Sequence, residues 1–256
     1  MEKIAVIKIG GNVVDNTTLL DSFLQSLSKI EYSFILVHGG GKIATQIGRK
    51  MGIEPNIVDG RRITDRDTID LVTMVYAGLV NKKIVAKLQM LGKNAIGLTG
   101  ADANVIRSHK RPVKEIDYGF VGDIDNVNSD LLDQLISTNY LPVMVPITHD
   151  GKGQLLNTNA DTIASEVAIS LSSIYNTELI YCFELPGVMK DMNDNDSVIN
   201  QVNFLSYEEL KKEGIISAGM IPKIDNCFSS INRGVHSVRI CHADNLLGKT
   251  GTTFVK

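Results

Sequence analysis

Two apolar runs end in glycine clusters beside a basic residue: Ile4-Ala5-Val6-Ile7-Lys8-Ile9-Gly10-Gly11 and Phe34-Ile35-Leu36-Val37-His38-Gly39-Gly40-Gly41. A buried strand that runs into glycine leaves bare backbone N–H groups at the edge of a sheet. Phosphate or carboxylate oxygens can approach them there without side-chain obstruction. Lys8 adds a mobile positive charge, and a lysine inside an apolar strand needs a reason, because an unpaired ammonium is costly to bury. Turn formation is the simpler reading of either glycine cluster alone. Two such runs early in one chain point to anion handling.

Two later segments carry further candidates. Asn157-Thr158-Asn159-Ala160-Asp161-Thr162 precedes a helical run at 163–171, where Asn159 or Asp161 suits either a helix cap or a site role. Gly219-Met220-Ile221-Pro222-Lys223 opens another helix. A cation at that positive end is disfavoured without an anionic partner, which tilts Lys223 toward function. Gly39-Gly40-Gly41-Lys42-Ile43-Ala44 satisfies G-x-G-x-x-A between a strand and a helix, with Asp59 as the acid a dinucleotide ribose would need. That alternative leaves Lys8, Asp161 and Lys223 without a task. The same segment fails as a Walker A loop, since Ile43 follows the lysine where Ser or Thr is required.

The elements that must position these residues read as a parallel sheet with crossover helices, because strand-length apolar runs alternate with segments of helical period. Strands are predicted near 4–9, 34–38, 94–99, 141–147, 178–183 and 237–241. Leu19, Leu20, Phe23, Leu24 and Leu27 form one helical face; Ile43, Ile47 and Met51 form another. A long helix over about 67–90 carries Ile69, Val72, Val75 and Leu79. The stretch 111–128, with Gly119 and Gly122, predicts one or two antiparallel hairpins over the sheet. The Asn- and Asp-rich stretch 192–200 predicts an exposed loop.

The chain has 256 residues, 43% hydrophobic and 21% charged, which suits a folded α/β protein and excludes a disordered one. A net charge of -3 gives no electrostatic footprint for nucleic acid, so any bound anion must be held locally. Cys182, Cys227 and Cys241 have no C-x-x-C spacing and read as small buried apolar residues of a reducing compartment. With a strand starting at about Ile4 and no apolar stretch approaching ~20 residues, a cytoplasmic protein with no membrane partner is expected.

Taken in order, Lys8-Ile9-Gly10-Gly11, His38-Gly39-Gly40-Gly41, Gly60-Arg61-Arg62-Ile63-Thr64, Asn157-Thr158-Asn159-Ala160-Asp161 and Gly219-Met220-Ile221-Pro222-Lys223 resemble the N-acetylglutamate kinases of the amino acid kinase family. The resemblance covers the whole chain. Arg107, Lys110-Arg111-Pro112-Val113 and Gly119-Phe120-Val121-Gly122 resemble that group rather than its relatives acting on aspartate, glutamate, carbamate or UMP.

The resemblance implies an α/β fold, a three-layer αβα sandwich on a mainly parallel sheet. It implies a single domain over 1–256, with an N-terminal lobe of about 1–175 for the N-acylated L-glutamate and dimerisation and a C-terminal lobe of about 176–256 for ATP with Mg²⁺. Lys8 and Lys223 would stabilise the transferring phosphoryl group, and Asp161 would orient both lysines. Gly40, Gly41, Arg62, Asn157 and Asn159 would bind the substrate, Arg62 through its α-carboxylate. Nucleotide and phosphate contacts would come from Gly10, Gly11, Glu184, Leu185, Pro186, Gly187, Val188 and Met189, and from Ile215, Ile216 and Ser217. No protein residue is singled out as a metal ligand.

Three departures carry consequences. Lys42 and Arg61 stand where several members have a small or apolar residue; solvated surface positions are the simpler reading, and an acyl group with its own carboxylate, such as succinyl, is the sharper alternative to acetyl. Phe183-Glu184 replaces a more usual Ser or Thr followed by Asp, which bears on side-chain contacts to the nucleotide. With no N-terminal extension before strand one, a homodimer without arginine feedback is expected. A non-catalytic sensor on the same fold is the remaining alternative, and the retained lysines and Asp161 argue against it.

Overall fold

Strand β1 (Lys3–Ile9) is buried on both faces: Ala5, Ile7 and Ile9 enter one apolar core, and Ile4 and Val6 enter another. A strand covered on both sides belongs at the centre of a parallel sheet, which is why it reads as one unbroken apolar run. The computed structural model describes residues 1–58, 60–191, 194–216, 220–248 and 250–256.

The strands that follow are β2 (Ser33–His38), β3 (Ile57–Val58), β4 (Arg61–Arg62), β5 (Ala95–Leu98), β6 (Ile106–Lys110), β7 (Gly122–Val127) and β8 (Leu141–Met144). Beyond them come β9 (Ile147–His149), β10 (Leu155–Asn157), β11 (Asn176–Phe183), β12 (Gln201–Val202), β13 (Ser237–His242) and β14 (Thr252–Phe254). The helices are α1 (Gly11–Asp15), α2 (Thr17–Ser28), α3 (Gly41–Lys50), α4 (Arg66–Thr73) and α5 (Asn81–Met90). The second half adds α6 (Ser129–Ser137), α7 (Ala160–Leu171), α8 (Phe204–Lys212) and α9 (Ile221–Asn232).

The main sheet runs β12-β14-β13-β11-β1-β2-β8-β5. It is parallel except where β14 meets β13. Leu20, Phe23 and Leu24 of α2, Ile69 and Val72 of α4, and Ile84 and Leu88 of α5 close one face. Ile163 and Val167 of α7 and Ile224, Phe228 and Ile231 of α9 close the other. The alternation's parallel sheet with crossover helices is present, in the three-layer αβα sandwich that the resemblance implies, and apart from the end of the run 141–147 the predicted strands lie in this sheet. The three cysteines are free and buried. Among the described residues, no helix is long and apolar enough to cross a membrane.

Three predicted elements differ in detail. The run 141–147 is two strands in different sheets, because Pro146 has no N–H to continue the ladder after β8. The stretch 111–128 is the loop and second strand of one hairpin, which starts earlier at Ile106 and joins a small sheet ordered β10-β9-β6-β7. The long helix over 67–90 is α4 and α5 joined by a π-helical stretch, Met74–Val80. The wider turn rotates the buried face, so Leu79 is 38% exposed and Val80, one residue on, is buried. Met51 caps the end of α3 and is exposed. Of the predicted loop 192–200, Met192 and Asn193 lie outside the described residues, and a short 3₁₀ turn spans Asn195–Ser197.

Candidate functional site

The carboxyl ends of β1, β2 and β11 open on one cleft of about 940 Å³. Lys8 continues the β1 row of Ile4 and Val6 toward α7 and is 8% exposed. Its ammonium stands 2.6 Å from Oδ1 of Asp161, in the first turn of α7. A carboxylate is favoured at that positive helix end. Asn159 is the N-cap of the same helix, its Oδ1 accepting from the N–H groups of Asp161 at 2.7 Å and Thr162 at 3.3 Å. The cap fixes the first turn that presents Asp161 to Lys8.

Lys223 enters from α9, after Pro222 in the first turn. Its Nζ lies 4.6 Å from the centroid of the Phe183 ring, and Lys8 Nζ lies 5.1 Å from the same centroid. Tyr181 stacks against that ring at 6.0 Å and donates its hydroxyl to the carbonyl of Asp161 at 3.3 Å. Burial holds the Tyr181 hydroxyl well above its ordinary range, with the nearby Cys227 and Asp161 adding to it, so it serves as a donor.

The glycines divide into distinct roles. Gly10 lines the cleft, but its N–H is taken by the carbonyl of Cys182 at 3.1 Å. Gly11 opens α1, where an N–H has no intrahelical acceptor, and a Cβ there would meet nothing within 4 Å. Gly40 caps α3 with Tyr76 packed on it: a Cβ would stand 3.0 Å from the tyrosine Cδ1. Gly41 begins the helix and gives its carbonyl to Arg62 Nη2 at 3.1 Å.

His38, at the root of this turn, is fully buried. Nδ1 lies 2.7 Å from the carbonyl of Gly39, which can only accept, so Nδ1 carries the proton and Nε2 accepts from Asn81. Burial pushes the imidazole pKa down to about 4, the charge of Lys82 helping and the Gly39 contact opposing. The ring is neutral near pH 7 and fixed in one tautomer.

Across the cleft, Arg62 also donates to Thr45 Oγ1 at 2.7 Å, which sets its guanidinium against α3. Asn157 lines the cleft beside it and donates through Nδ2 to Thr64 Oγ1 at 3.0 Å. Lys42 and Arg61 are exposed residues on the same wall. Arg111 and Asp123, also on this wall, form a two-pronged pair, with Nε at 3.1 Å and Nη2 at 2.6 Å from Oδ1. The pair raises the arginine pKa and lowers that of the carboxylate.

On the opposite wall, Glu184, Leu185 and Gly187 face the cleft. Pro186 is half-buried between them. Val188 and Met189 turn inward to the core, the Val188 N–H donating to Thr252 Oγ1 at 2.8 Å. Ile216 is buried in the same core and Ile215 half-buried, and neither lines the cleft. Ser217 lies outside the described residues, as does Asp59, which the dinucleotide alternative requires.

Lys8, Asp161, Lys223, Arg62 and both glycine turns thus come together from segments far apart in the sequence. The sequence singles out Phe183 only as a departure in the nucleotide segment, and Tyr76 and Asn81 not at all. Phe183 had a signal in its place at the end of a strand entering the cleft; the other two are reached only through the packing of the long helix.

The sequence profile of the amino acid kinase family matches residues 3–242. An acetylglutamate kinase of Cytophaga hutchinsonii is 56% identical over 248 residues, spanning 96% of this chain and 94% of that protein. One of Bacteroides fragilis is 54% identical over 255 residues, spanning 100% and 98%. The fold is shared with carbamate kinase from Giardia lamblia bound to AMP-PNP, with a TM-score of 0.72, 15% identity, and coverage of 100% of this chain and 99% of that one. With the profile matching nearly the whole chain and full-length relatives above half identity, this chain belongs to the amino acid kinase family, in its acetylglutamate kinase branch.

Proposed function

We propose that this chain transfers the γ-phosphoryl group of ATP to the γ-carboxylate of N-acetyl-L-glutamate, giving N-acetyl-L-glutamyl 5-phosphate in arginine biosynthesis. The observation that carries the reading is the meeting of Lys8, Lys223 and Asp161 at one end of the cleft with Arg62 on its wall.

The chemistry suits this set. A γ-carboxyl group with a pKa near ~4.3 is already an ionised nucleophile at neutral pH, so no general base is needed. What is needed is relief of the repulsion between that carboxylate and ATP, with charge stabilisation on the phosphoryl oxygens. Lys8 and Lys223 supply positive charge, and Gly11, which lines the same cleft, offers an N–H with no intrahelical acceptor. Arg62 takes the α-carboxylate, which a planar guanidinium can meet with two parallel hydrogen bonds.

Gly11, where even an added Cβ would meet nothing within 4 Å, would take the nucleotide's phosphates. Among the described residues, no cluster of three or more His, Cys, Asp or Glu could hold a metal ion. Magnesium would ride on the phosphate oxygens and supply charge neutralisation there. In this reading residues of about 1–175 hold the acylglutamate and those of about 176–256 the nucleotide, in a cytoplasmic homodimer.

A second reading places N-succinyl-L-glutamate as the substrate. It is favoured by Lys42 and Arg61, which add two cations to the wall that carries Arg62. One experiment tests both: ATP consumption with Mg²⁺, trapping the acyl phosphate with hydroxylamine, on N-acetyl- and N-succinyl-L-glutamate, glutamate and aspartate. Turnover on N-acetyl-L-glutamate with the higher kcat/KM is expected. A succinyl preference would replace the acyl group, and no turnover by folded, ATP-binding protein would overturn the kinase reading.

A further inference from the structure

Both candidate phosphoryl-binding lysines reach the same aromatic ring. Lys8 Nζ and Lys223 Nζ lie over Phe183 at 5.1 and 4.6 Å from its centroid, within the range in which an ammonium is attracted to the negative face of a π-system. Their other partners are unequal. Lys8 is nearly buried and ion-paired to Asp161, whereas Lys223 is exposed, and among the described residues no carboxylate lies within ion-pair distance of it.

Lys223 sits in the first turn of α9, where the helix's own positive end repels it. A lysine stem also keeps much rotamer freedom in water. The feature that offsets both effects is the Phe183 face, itself backed by the stacked ring of Tyr181.

From this geometry we infer that Phe183 is a positioning residue for phosphoryl transfer, acting as an uncharged anchor that holds the Lys223 ammonium beside Lys8 before the nucleotide arrives. A carboxylate in its place would hold the lysine more tightly but would cancel the charge that the phosphoryl oxygens need. A neutral ring holds the position and leaves the full charge available. The inference rests on the kinase reading above and names a residue that reading does not use.

The test replaces Phe183 by mono-, di- and trifluorinated phenylalanine, which drain the negative ring face stepwise at nearly constant size, and by Phe183→Leu. Across the fluorinated series kcat is expected to fall progressively, by about tenfold at the end, with the KM for the acylglutamate little changed. A flat series overturns the inference, including the case in which Phe183→Leu alone is impaired, because the ring would then serve only as apolar volume.

A second measurement is independent of turnover. In the free protein, NMR of lysines labelled at the ε-carbon should show the Lys223 ε-methylene protons shifted upfield by the ring, and the shift should vanish in Phe183→Leu. Absence of that shift in the wild type overturns the inference even if activity falls. Wild-type protein that shows the shift and turns over none of the acylglutamates sinks the kinase reading, and the role of the ring in transfer with it, while the ring–lysine contact stands.

Discussion

Asn81 donates its side-chain amide to Nε2 of His38 at 3.1 Å, tying the long helix to the root of the triple-glycine turn. The same amide donates to the carbonyl of Val143 at 2.9 Å, and Asn81 Oδ1 accepts from Lys82 at 3.1 Å. Every polar atom of this buried pair is used, so protonating the imidazole would put an N–H where Asn81 already donates.

Stability should therefore fall in mild acid. The folded-state pKa of His38 is depressed to about 4 from its ordinary 6.5, so between those values the unfolded chain binds the proton that the native state refuses. The stabilisation is complete above about pH 6.5 and is lost as pH falls toward 4. From pH 7 to pH 5 the loss from this residue is about 2 kcal/mol. Urea denaturation at both values should show it, and His38→Gln should lose that part of the difference.

Removing either lysine should cost rate rather than fold. Loss of one preorganised donor to a developing oxyanion is worth ~3–4 kcal/mol, or two to three decades in kcat. Lys8→Ala and Lys223→Ala should each fall in that range in the hydroxylamine assay. A change of less than about fivefold in either would remove that lysine from the phosphoryl site.

Arg62→Lys should raise the KM for the acylglutamate while leaving kcat nearly intact, because lysine cannot supply two parallel hydrogen bonds to a carboxylate. The contacts to Gly41 and Thr45 that now set the guanidinium would be lost as well. Unchanged KM would show that the α-carboxylate binds elsewhere.

Gly40→Ala and Gly39→Ala form a matched pair for thermal melting. A Cβ at position 40 would stand 3.0 and 3.3 Å from Cδ1 and Cε1 of the buried Tyr76 ring, whereas one at position 39 would meet nothing within 4 Å. Overpacking of that kind costs about 1–3 kcal/mol, so the first variant should melt lower and the second near wild type. Equal melting of the two would mean that the tyrosine moves freely.

Much of this site was legible because strand chemistry is local. An unbroken apolar run with Lys8 near its end reads as a central strand delivering a cation to the sheet edge, and Lys8 pairs there with Asp161 in the first turn of α7. Asn159 shows why two readings of one residue need not compete, since its cap is what presents Asp161. Gly10 was less legible, because whether a strand-end N–H is open depends on the neighbouring strand, and here Cys182 takes it. The change of sheet at Pro146 and the exposed Leu79 were hidden for a related reason. Periodicity assumes one geometry throughout a run, and both runs change geometry midway.

The π-helical stretch Met74–Val80 makes the long helix an indexed shaft. Each residue of an α-helix advances about 100° around its axis, so the wide turn sets the angle at which α5 leaves it. Asn81 meets His38 and Val143 only at that setting, with Ile84 and Leu88 engaged in the core on the same side. Deleting one residue between 74 and 80 would turn the whole ten-residue shaft of α5 by nearly a third of a revolution, withdrawing the latch on the glycine turn and two core teeth in one motion.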